Sequence, residues 1–404
     1  MGTSREPTGP ESITSAGART KGARTKGTRE KGRGAGSNEP SRYVSTRSEA
    51  EDDGWSLPAE FEDEFAQSKG PQTQVFKDRT VRLITANQSP DIPFSQSINP
   101  YKGCEHGCIY CFARPTHTYL DLSAGLDFET KIFRKSDPRL HLIEELAKPG
   151  YRCSVIAMGT NTDPYQPLEQ SHQVTREILQ TLLELRHPVS IVTKSKLILR
   201  DLDLLTEFAE LGLVSVNISV TTLDNGLKGK LEPRTAGPAA RIRTIASLRE
   251  RGIPTGAMVA PVIPFINDHE IERIVQRTAE AGAQVIRYIL IRLPLEVRPL
   301  FEEWLRLHYP GKAARVMSAI CDTRGGTAYR SEWGKRMVGE GPVAMLIAKR
   351  FSKAVRDQTS LADDLPTLRT DLFTPPDRRK VQAARLELAQ HRDGISRGPQ
   401  MSLF

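Results

Sequence analysis

The stretch Cys104-Glu-His-Gly-Cys108-Ile-Tyr-Cys111 contains three of the chain's five cysteines within eight residues. Three thiolates on one tight loop can converge on a single metal centre, and Gly103 and Gly107 permit the bends that such a loop requires. Three thiolates leave one iron of a four-iron cluster without a protein ligand, which is typical of a reactive centre. The competing interpretation is a zinc site with His106 or His117 as the fourth ligand, although structural zinc sites usually combine two separate CxxC pairs.

The composition of the 404-residue chain excludes several classes of protein. The formal net charge is +8, from 57 Lys and Arg against 49 Asp and Glu, and 38% of the residues are hydrophobic. No run approaches the roughly 18 apolar residues that a membrane span needs, and the chain opens with polar and basic residues rather than an apolar signal segment. Five cysteines are too few, and their number is odd, for a disulfide framework. We therefore expect a cytoplasmic protein that does not interact with membranes.

Between about residues 93 and 297, short apolar or β-branched runs alternate with stretches of helical periodicity. The predicted strands are Phe94–Pro100, Cys153–Gly159, Val189–Thr193, Val214–Thr221, Pro254–Pro261 and Val285–Pro294. This alternation predicts an α/β fold with a parallel sheet and right-handed crossovers, either an incomplete α/β barrel or an open doubly wound sheet. In both architectures ligands bind at the carboxyl ends of the strands, and the cysteine loop directly follows the first one.

A CxxxCxxC motif with an aromatic residue before its last cysteine, placed after the first of six such units, resembles the radical S-adenosylmethionine (SAM) superfamily. The resemblance implies a partial (β/α)6 TIM-type barrel and a [4Fe-4S] cluster on Cys104, Cys108 and Cys111, with SAM bound to the fourth iron. It also implies reductive cleavage of SAM to a 5′-deoxyadenosyl radical that abstracts a hydrogen atom from the substrate. An electron donor such as flavodoxin or ferredoxin is an expected partner.

Within the superfamily, the chain is similar to the group related to spore photoproduct lyase, which is DNA-repair photolyase-like. The resemblance covers roughly residues 75–350, and it implies a lyase that acts on a nucleic-acid lesion or a modified base. Radical chemistry on RNA, a peptide or a small metabolite stays an alternative, as does a non-enzymatic, metal-stabilised nucleic-acid-binding protein. The motifs that carry the resemblance are Asn99-Pro-Tyr-Lys-Gly-Cys104, Cys111-Phe-Ala-Arg114, Asp163-Pro-Tyr-Gln-Pro-Leu-Glu169, Leu231-Glu-Pro-Arg-Thr235 and the Pro261/Pro264 region.

Candidate SAM contacts follow the first two predicted strands. The resemblance places Tyr110 near the adenine, with simple loop packing as the alternative. Polar side chains at Thr160, Asn161 and Asp163 suit the ammonium group of a bound amino acid. The family often has a Gly-Glu pair at this place, where this chain has Gly159-Thr160, so Asp163 is the candidate for the missing carboxylate. A helix cap is the alternative role of Asp163.

Two further groups of polar residues are candidates for binding SAM. Asn217, Ser219 and Thr221 alternate along the fourth predicted strand and so share one face, here the barrel interior. Buried polar groups need hydrogen bonds, which the ribose and carboxylate of SAM would supply; a water-filled barrel mouth is the alternative. Arg234, in a segment expected to open a helix, is the candidate for the SAM carboxylate because a guanidinium can bind it with two parallel hydrogen bonds. We expect Arg241, farther along that helix, to lie on its solvated face together with its neighbour Arg243.

The sequence departs from spore photoproduct lyases at one point. Those enzymes use a thiol near the end of the second strand as the hydrogen donor that closes the radical cycle. Here the corresponding stretch, Met158-Gly-Thr-Asn161, has no cysteine. Cys153 is expected at the opposite end of that strand as a small buried residue, and Cys321 cannot be placed. The same hydrogen relay is therefore not expected in this chain.

The expected organisation surrounds the barrel with polar tails. Residues 1–70, basic and then acidic, lack apolar periodicity and are expected to be disordered, with order beginning near residues 70–80. The basic part is interpreted either as an arm attracted to nucleic-acid phosphates or as a solubilising tail. The radical SAM barrel is expected over residues 71–298, a helical extension over 299–360 and a flexible tail over 361–404.

The extension and the carboxyl-terminal tail carry two candidate binding segments. Helices are predicted at Leu300–Arg315 and Val343–Val355, and between them Thr323–Arg336 interleaves basic residues with Tyr329 and Trp333. Such a loop is typical either of nucleic-acid contact or of a solvated connection whose aromatic residues pack on the barrel. The last five residues, Gln400-Met-Ser-Leu-Phe404, resemble the peptide by which bacterial replication and repair proteins bind the DNA sliding clamp.

Overall fold

The computed structural model of the protein describes residues 32–43 and 72–396. Within these ranges the strands form two separate sheets, one of seven strands and one of three. The strands are β1 Gln74–Asp78, β2 Ile84–Ala86, β3 Gln96–Ile98, β4 Tyr101–Lys102, β5 Lys131–Lys135, β6 Ile156–Met158, β7 Val189–Thr193, β8 Val214–Ser219, β9 Thr255–Val262 and β10 Val285–Leu290.

The seven-stranded sheet has the order β10-β9-β8-β7-β6-β3-β2. The neighbours from β3 to β10 are parallel, and β2 runs antiparallel to β3. The six parallel strands lie within the six runs predicted from the sequence, give or take one residue at their ends. Because β2 and β10 are not paired in the described residues, the sheet stays open between them. The expectation of a partial (β/α)6 barrel is thereby confirmed.

Helices connect the parallel strands, and glycines end several of them. Gly212, Gly252 and Gly282 have φ of 68°, 71° and 90°, and they follow the ends of α5, α7 and α8 shortly before the next strand. No helix among the described residues has the length and apolar character required to cross a membrane. The α-helices are α1 Leu126–Thr130, α2 Pro138–Leu146, α3 Glu169–His172, α4 Val174–Glu184, α5 Leu202–Glu210, α6 Asn225–Leu231, α7 Pro238–Glu250, α8 Ile271–Glu280, α9 Val297–His308, α10 Ala313–Asp322, α11 Gly341–Arg356 and α12 Arg378–Ser396.

The main apolar core lies between the large sheet and its helices. In β7, Val189 and Ile191 are fully buried, as are Ile178 and Leu182 on one face of α4. Parallel strands are covered on both faces and therefore read as apolar runs, which is why the sequence predicted them well.

A second, small sheet positions the cysteine loop. It has the order β1-β5-β4, with β1 parallel and β4 antiparallel to β5. β4 ends at Lys102, so the cysteine loop leaves this small sheet and not the barrel strand β3. Strands as short as the two-residue β4 give no periodic signal, and the sequence analysis did not predict this sheet.

The open edge of the barrel is bridged by residues 334–337. The backbone N–H of Leu290 in β10 donates to the Met337 carbonyl at 2.9 Å. On the other side, beyond β2, Arg336 Nε donates to the Asp91 carboxylate at 2.7 Å, and the Gly334 N–H donates to the same carboxylate. The two edge strands are thus connected through a segment that lies more than 40 residues beyond β10.

The carboxyl-terminal extension differs from the prediction in two places. The predicted helix Leu300–Arg315 is two helices, α9 and α10, because Pro310 lies between them and cannot continue the first. The helix α12 lies in the region expected to be a flexible tail. Its Arg385 and Glu387 pair with Glu144 and Arg139 of α2, so this part of the tail is an ordered helix. The clamp-like segment Gln400–Phe404 lies outside the described residues.

Residues 32–43 correct the expectation for the amino-terminal tail. Arg33, Ala35 and Ser41 are buried against the rest of the molecule. Disorder over residues 1–70 is therefore wrong for this segment, and order does not begin only at residues 70–80. The remainder of 1–70 lies outside the described residues.

Candidate active site at the cysteine loop

The cysteine loop turns at two glycines. Gly103 and Gly107 have φ of 82° and 64°, a backbone conformation in which other residues are strained. The Cys104 N–H donates to the Phe128 carbonyl at 2.9 Å and ties the start of the loop to α1. The thiols are close together, since Cys108 and Cys111 both raise the pKa of Cys104, and Cys111 also raises that of Cys108. The predicted convergence of the cysteines on one region is therefore present in the fold.

The thiols are free, and two of them are buried. Cys104 and Cys108 are buried and Cys111 is half-buried. Burial raises the pKa of Cys104 well above its usual value, and Asp163 adds to this effect. Burial, assisted by Glu232, raises the pKa of Cys108 to about 12. Since such thiols become thiolates when a metal displaces their protons, three thiol donors with no fourth fit a [4Fe-4S] cluster that keeps one open iron.

Neither histidine is arranged as a fourth zinc ligand. His117 lies edge-on to the Phe128 ring, and its Nε2 is 2.9 Å from the Lys131 carbonyl. His106 directs Nδ1 toward Asp163 at 3.4 Å. In the part of the chain that the structure describes, no group of three or more His, Cys, Asp or Glu side chains surrounds a point that could hold a single metal ion. A four-iron cluster spaces its thiolates more widely, because each binds a different iron.

A buried carboxylate, Glu232, is the centre of a polar network beside the loop. The hydroxyls of Tyr110 and Thr221 both donate to it, the latter at 2.7 Å, and Arg241 forms an ion pair with it. Burial would raise the pKa of Glu232, but Arg241 and then Lys194 outweigh burial and hold it at about 2. The network therefore connects the aromatic residue of the cysteine motif to the end of β8 through an ionised carboxylate.

Arg241 corrects the prediction of a solvated helix face. Only 2% of this residue is exposed, and its guanidinium also donates to the Ser219 carbonyl at 3.0 Å. The reason is that the segment containing Glu232 does not open a helix: it lies between α6 and α7, and α7 starts at Pro238. Arg241 thus belongs to the first turn of α7, which faces the barrel. Arg243 is exposed, as expected.

Asp163 lies at the carboxyl ends of β6 and β7. The Thr193 hydroxyl and the Lys194 N–H donate to its two oxygens at 2.6 and 2.8 Å, and the Tyr165 N–H donates at 2.9 Å. Burial would raise the pKa of this carboxyl, but His106 and the hydrogen bonds from Thr193 and Lys194 together outweigh burial, and the resulting pKa is about 2. Asp163 is therefore an ionised group that fixes the loop after β6 to the end of β7.

Thr160 and Asn161 share one partner from the first motif. Asn99 Oδ1 accepts from the Asn161 N–H at 3.0 Å and from the Thr160 hydroxyl at 3.3 Å. This contact joins the loops that follow β3 and β6, at the carboxyl end of the sheet. Both predicted residues thus lie at the barrel mouth, half-buried and exposed respectively.

Ser219 and Arg234 occupy different surroundings. Ser219 is buried at the end of β8. Arg234 is exposed, and its Nη2 donates to Glu105 at 3.2 Å while its N–H donates to the His106 carbonyl at 3.3 Å. Arg234 is therefore bound to the cysteine loop itself and does not join the Glu232 network.

Lys194 is a residue that the sequence analysis did not single out. It follows β7 directly, and its half-buried ammonium has no hydrogen-bond or ion-pair partner within the described ranges. Burial would lower the Lys194 pKa, but Cys108 and Glu232 outweigh burial and raise it. Its position just after a predicted strand, at the end where ligands bind, was the signal that could have identified it.

A second cation stacks on an exposed aromatic ring beside the last cysteine. The Arg292 guanidinium lies 4.1 Å from the centre of the Phe112 ring, and 41% of Phe112 is exposed. Burial lowers the pKa of Arg292, and nearby Tyr329 and Cys111 oppose this effect. Across the described residues, no side chain or carbonyl accepts a hydrogen bond from Arg292.

Most cations of the loop Thr323–Arg336 are already paired. Arg324 is buried and donates to backbone carbonyls, among them that of Ile291 at 2.9 Å. Arg330 pairs with Glu340, and Arg336 forms the bridge to Asp91. These contacts favour the alternative of a connection between helices. That alternative also expected the aromatic residues to pack on the barrel, and Trp333, which is 61% exposed, does not.

Neither cysteine outside the motif follows β6. Cys153 lies three residues before Ile156, where β6 begins, and is half-buried rather than fully buried. Cys321 lies in the last turn of α10 and packs against the apolar cluster that contains Ile109 and Tyr110.

Comparisons with known proteins agree with this arrangement. The Radical SAM superfamily model matches residues 98–278. An uncharacterized protein of Mycobacterium tuberculosis is 38% identical over 226 residues, which are 55% of this chain and 66% of the relative. An uncharacterized protein of Methanocaldococcus jannaschii is 30% identical over 237 residues, which are 59% of this chain and 84% of the relative. The match thus spans just under two thirds of the mycobacterial relative.

Among solved structures, spore photoproduct lyase complexed with dinucleoside spore photoproduct has a TM-score of 0.50 and 14% identity. The match covers 71% of this chain and 80% of that chain. At this identity the similarity concerns the fold. The predicted superfamily and its partial barrel are confirmed, and the matched residues include the cysteine loop. Members of this superfamily use a [4Fe-4S] cluster and SAM, and this chain belongs to the radical SAM superfamily.

Proposed function

We propose that this radical SAM enzyme acts on a nucleic-acid lesion or a modified base. The observation that carries the proposal is the pair of Phe112 and Arg292 next to Cys111, because a ring and an unpaired guanidinium suit a base and a phosphate. When bound, the cluster supplies the electron that cleaves SAM and generates a 5′-deoxyadenosyl radical.

The three cysteines Cys104, Cys108 and Cys111 are the proposed cluster ligands. We assign the SAM carboxylate to Lys194, because its ammonium has no hydrogen-bond or ion-pair partner in the described residues and lies near Cys108. Arg234, the candidate from the sequence, is already bound to Glu105. The carboxylate of SAM would neutralise a charge that burial disfavours, which is the physical reason for preferring Lys194.

The remaining SAM contacts keep the roles predicted from the sequence. The mouth of the barrel, at Thr160, Asn161 and Asp163, is the proposed site of the SAM ammonium. The edge of the Glu232 network is the proposed site of the nucleoside. Its contributing residues are Tyr110, Ser219 and Thr221.

The proposed substrate site is the Phe112–Arg292 pair. An exposed ring can stack on any base, at about 1–3 kcal/mol per base, and therefore tolerates a damaged or modified one. A guanidinium with free N–H groups gains most from an anionic acceptor, because a half-buried charge without a partner is costly. Its position beside Cys111 would place the bound base at the mouth where the radical forms.

In the proposed reaction, the group that donates the final hydrogen atom differs from the thiol that spore photoproduct lyases use. The end of β6 carries no thiol, and Cys153 lies at the other end of the strand. The hydrogen atom that ends the cycle would therefore come from another group. We therefore propose a class of substrate and do not propose that this protein repairs spore photoproduct.

The test combines cofactor analysis with oligonucleotide binding. After purification without oxygen, we expect four irons per chain and reductive cleavage of SAM that is lost in Cys108→Ala. Labelled single-stranded DNA should bind the wild type, and Arg292→Ala should weaken this binding by roughly tenfold. The matched control is Arg298→Ala, since Arg298 is exposed and pairs with Glu302.

Each alternative has its own outcome. Tighter binding of RNA than of DNA would indicate that the substrate is RNA. Absence of binding to either polymer would contradict the proposal and favour a peptide or a small metabolite. One zinc per chain with intact SAM would contradict the enzyme itself and favour a metal-stabilised binding protein.

A further inference from the structure

The amino-terminal segment Gly32–Tyr43, here called the clip, lies against the cysteine loop. The backbone N–H groups of Gly34 and Ala35 each donate to one carboxylate oxygen of Glu129, both at 2.9 Å. Arg33 donates to the Glu129 carbonyl at 2.8 Å. The clip therefore binds one acidic residue with backbone and side chain together.

Glu129 connects the clip to the cysteine loop through Arg114. It is fully buried and forms an ion pair with the equally buried Arg114. Arg114 Nε donates to the carbonyl of Cys108 at 2.9 Å, and its Nη1 donates to the carbonyls that precede α1. A buried pair of this kind is costly to leave incomplete, so the clip, Glu129, Arg114 and Cys108 act as one connected unit.

The clip and the loop also touch directly, through glycines. A Cβ atom on Gly34 would lie 1.7 Å from the carbonyl oxygen of Gly107, the residue before Cys108. A Cβ atom on Gly125 would lie 2.1 Å from the carbonyl oxygen of Ser37. Real Cβ atoms do not approach backbone oxygens so closely, so both positions require glycine. The backbone of the clip is therefore in direct contact with the backbone of the cysteine loop at Gly34.

Further contacts hold the rest of the clip. Asn38 exchanges two hydrogen bonds with Asp127 of α1, and the buried Ser41 donates to the Thr118 carbonyl at 3.0 Å. Arg42 pairs with Glu296 in front of α9. The clip is thus held at both ends, by Glu129 near its start and by Glu296 near its end.

We propose that the clip is part of the cluster site: it fixes the cysteine loop through Glu129 and Arg114 and keeps oxygen and water from the cluster. Glu129 and Arg114 are positioning residues in this proposal. The inference rests on the cluster of the superfamily and is independent of the substrate. It assigns a function to a segment that precedes the region matched by the family model.

The test compares two identical substitutions in the clip. Gly34→Ala places a methyl group on the Gly107 carbonyl, whereas Gly36→Ala meets only Glu303 Oε1, at 3.4 Å. Both proteins are loaded with the cluster, and the loss of its visible absorption is followed in air. We expect loss about fivefold faster in Gly34→Ala, because local opening exposes the cluster, and unchanged in Gly36→Ala.

Two further measurements keep the proposal open to refutation. The electron paramagnetic resonance signal of the reduced cluster should change in Glu129→Ala and return part of the way toward the wild-type signal in Glu129→Gln. The single amide oxygen of glutamine restores one of the two acceptors that the clip uses, and its NH2 group cannot replace the other. Circular dichroism confirms that each variant is folded. Equal rates of cluster loss in the wild type and a folded Gly34→Ala protein would overturn the proposal, as would an unchanged signal in Glu129→Ala.

Discussion

Arg241 is a charged residue in the first turn of a helix that is nevertheless buried. A charged residue early in a helix is usually exposed, and its partner Glu232 precedes the helix. Periodicity reports which face of a helix is apolar, and it carries no information on a pair that forms across a turn. The sequence therefore predicted Ser219 and Thr221 as polar residues of the interior but missed the cation that balances them.

This pair leads to a prediction about stability. Arg241→Met should destabilise the protein by about 3–5 kcal/mol, because it leaves the Glu232 carboxylate buried without its main counter-charge. Arg243→Met, two residues away on the exposed face, should change the free energy of unfolding by less than about 0.5 kcal/mol. Denaturant unfolding of the metal-free proteins measures both. Similar values for the two variants would contradict the role of the buried pair.

Among the elements, the six parallel strands of the large sheet were predictable, and the short antiparallel strands and the connections were not. Most of the parallel strands are apolar or β-branched runs that alternate with helical stretches, whereas β2 and β4, with three and two residues, lie outside this alternation. The clip was assigned to a disordered tail because it lacks apolar periodicity. Its order comes from hydrogen bonds to Glu129, a residue about 95 positions away, and such long-range pairing is invisible to local composition.

The bridge between β10 and β2 gives a prediction at the level of elements. Asp91 and Arg336 are both mostly buried, so their single substitutions to alanine should not be additive. A double-mutant cycle on the free energy of unfolding should yield a coupling of about 0.5–3 kcal/mol. A control cycle on Arg369 and Asp371, an exposed pair at 2.7 Å, should give a clearly smaller coupling, because solvent screens it. Equal coupling in the two cycles would show that the bridge does not hold the barrel edge.

For the whole molecule, the decrease in the free energy of unfolding at acid pH is determined by buried titratable groups, among them His187. Burial, only partly opposed by the carbonyl of Pro188, lowers the pKa of His187 from 6.5 to about 4. The unfolded chain therefore binds a proton that the folded protein does not accept until about pH 4. The contribution of His187 to stability is complete above pH 6.5 and is lost as the pH falls to about 4.

We expect this loss to be visible in the pH dependence of unfolding. From pH 7 to 4, the wild type should lose about 3 kcal/mol more than His187→Gln, in which no group titrates at this position. Below pH 4 the two profiles should run parallel, because the carboxyls of Glu232 and Asp163, with pKa values of about 2, are common to both. Parallel profiles already above pH 4 would contradict the assignment to His187.

The position of the clip also has a consequence for biosynthesis. Because chains emerge from the ribosome amino terminus first, residues 32–43 leave the exit tunnel long before the cysteine loop is translated. Glu129, their main partner, is synthesised only 18 residues after the last cluster cysteine. The clip is therefore already outside the ribosome when the cysteine loop emerges. The cysteines can then be enclosed before most of the barrel has been synthesised. Iron–sulfur insertion would then have to precede this enclosure or require the clip to open again.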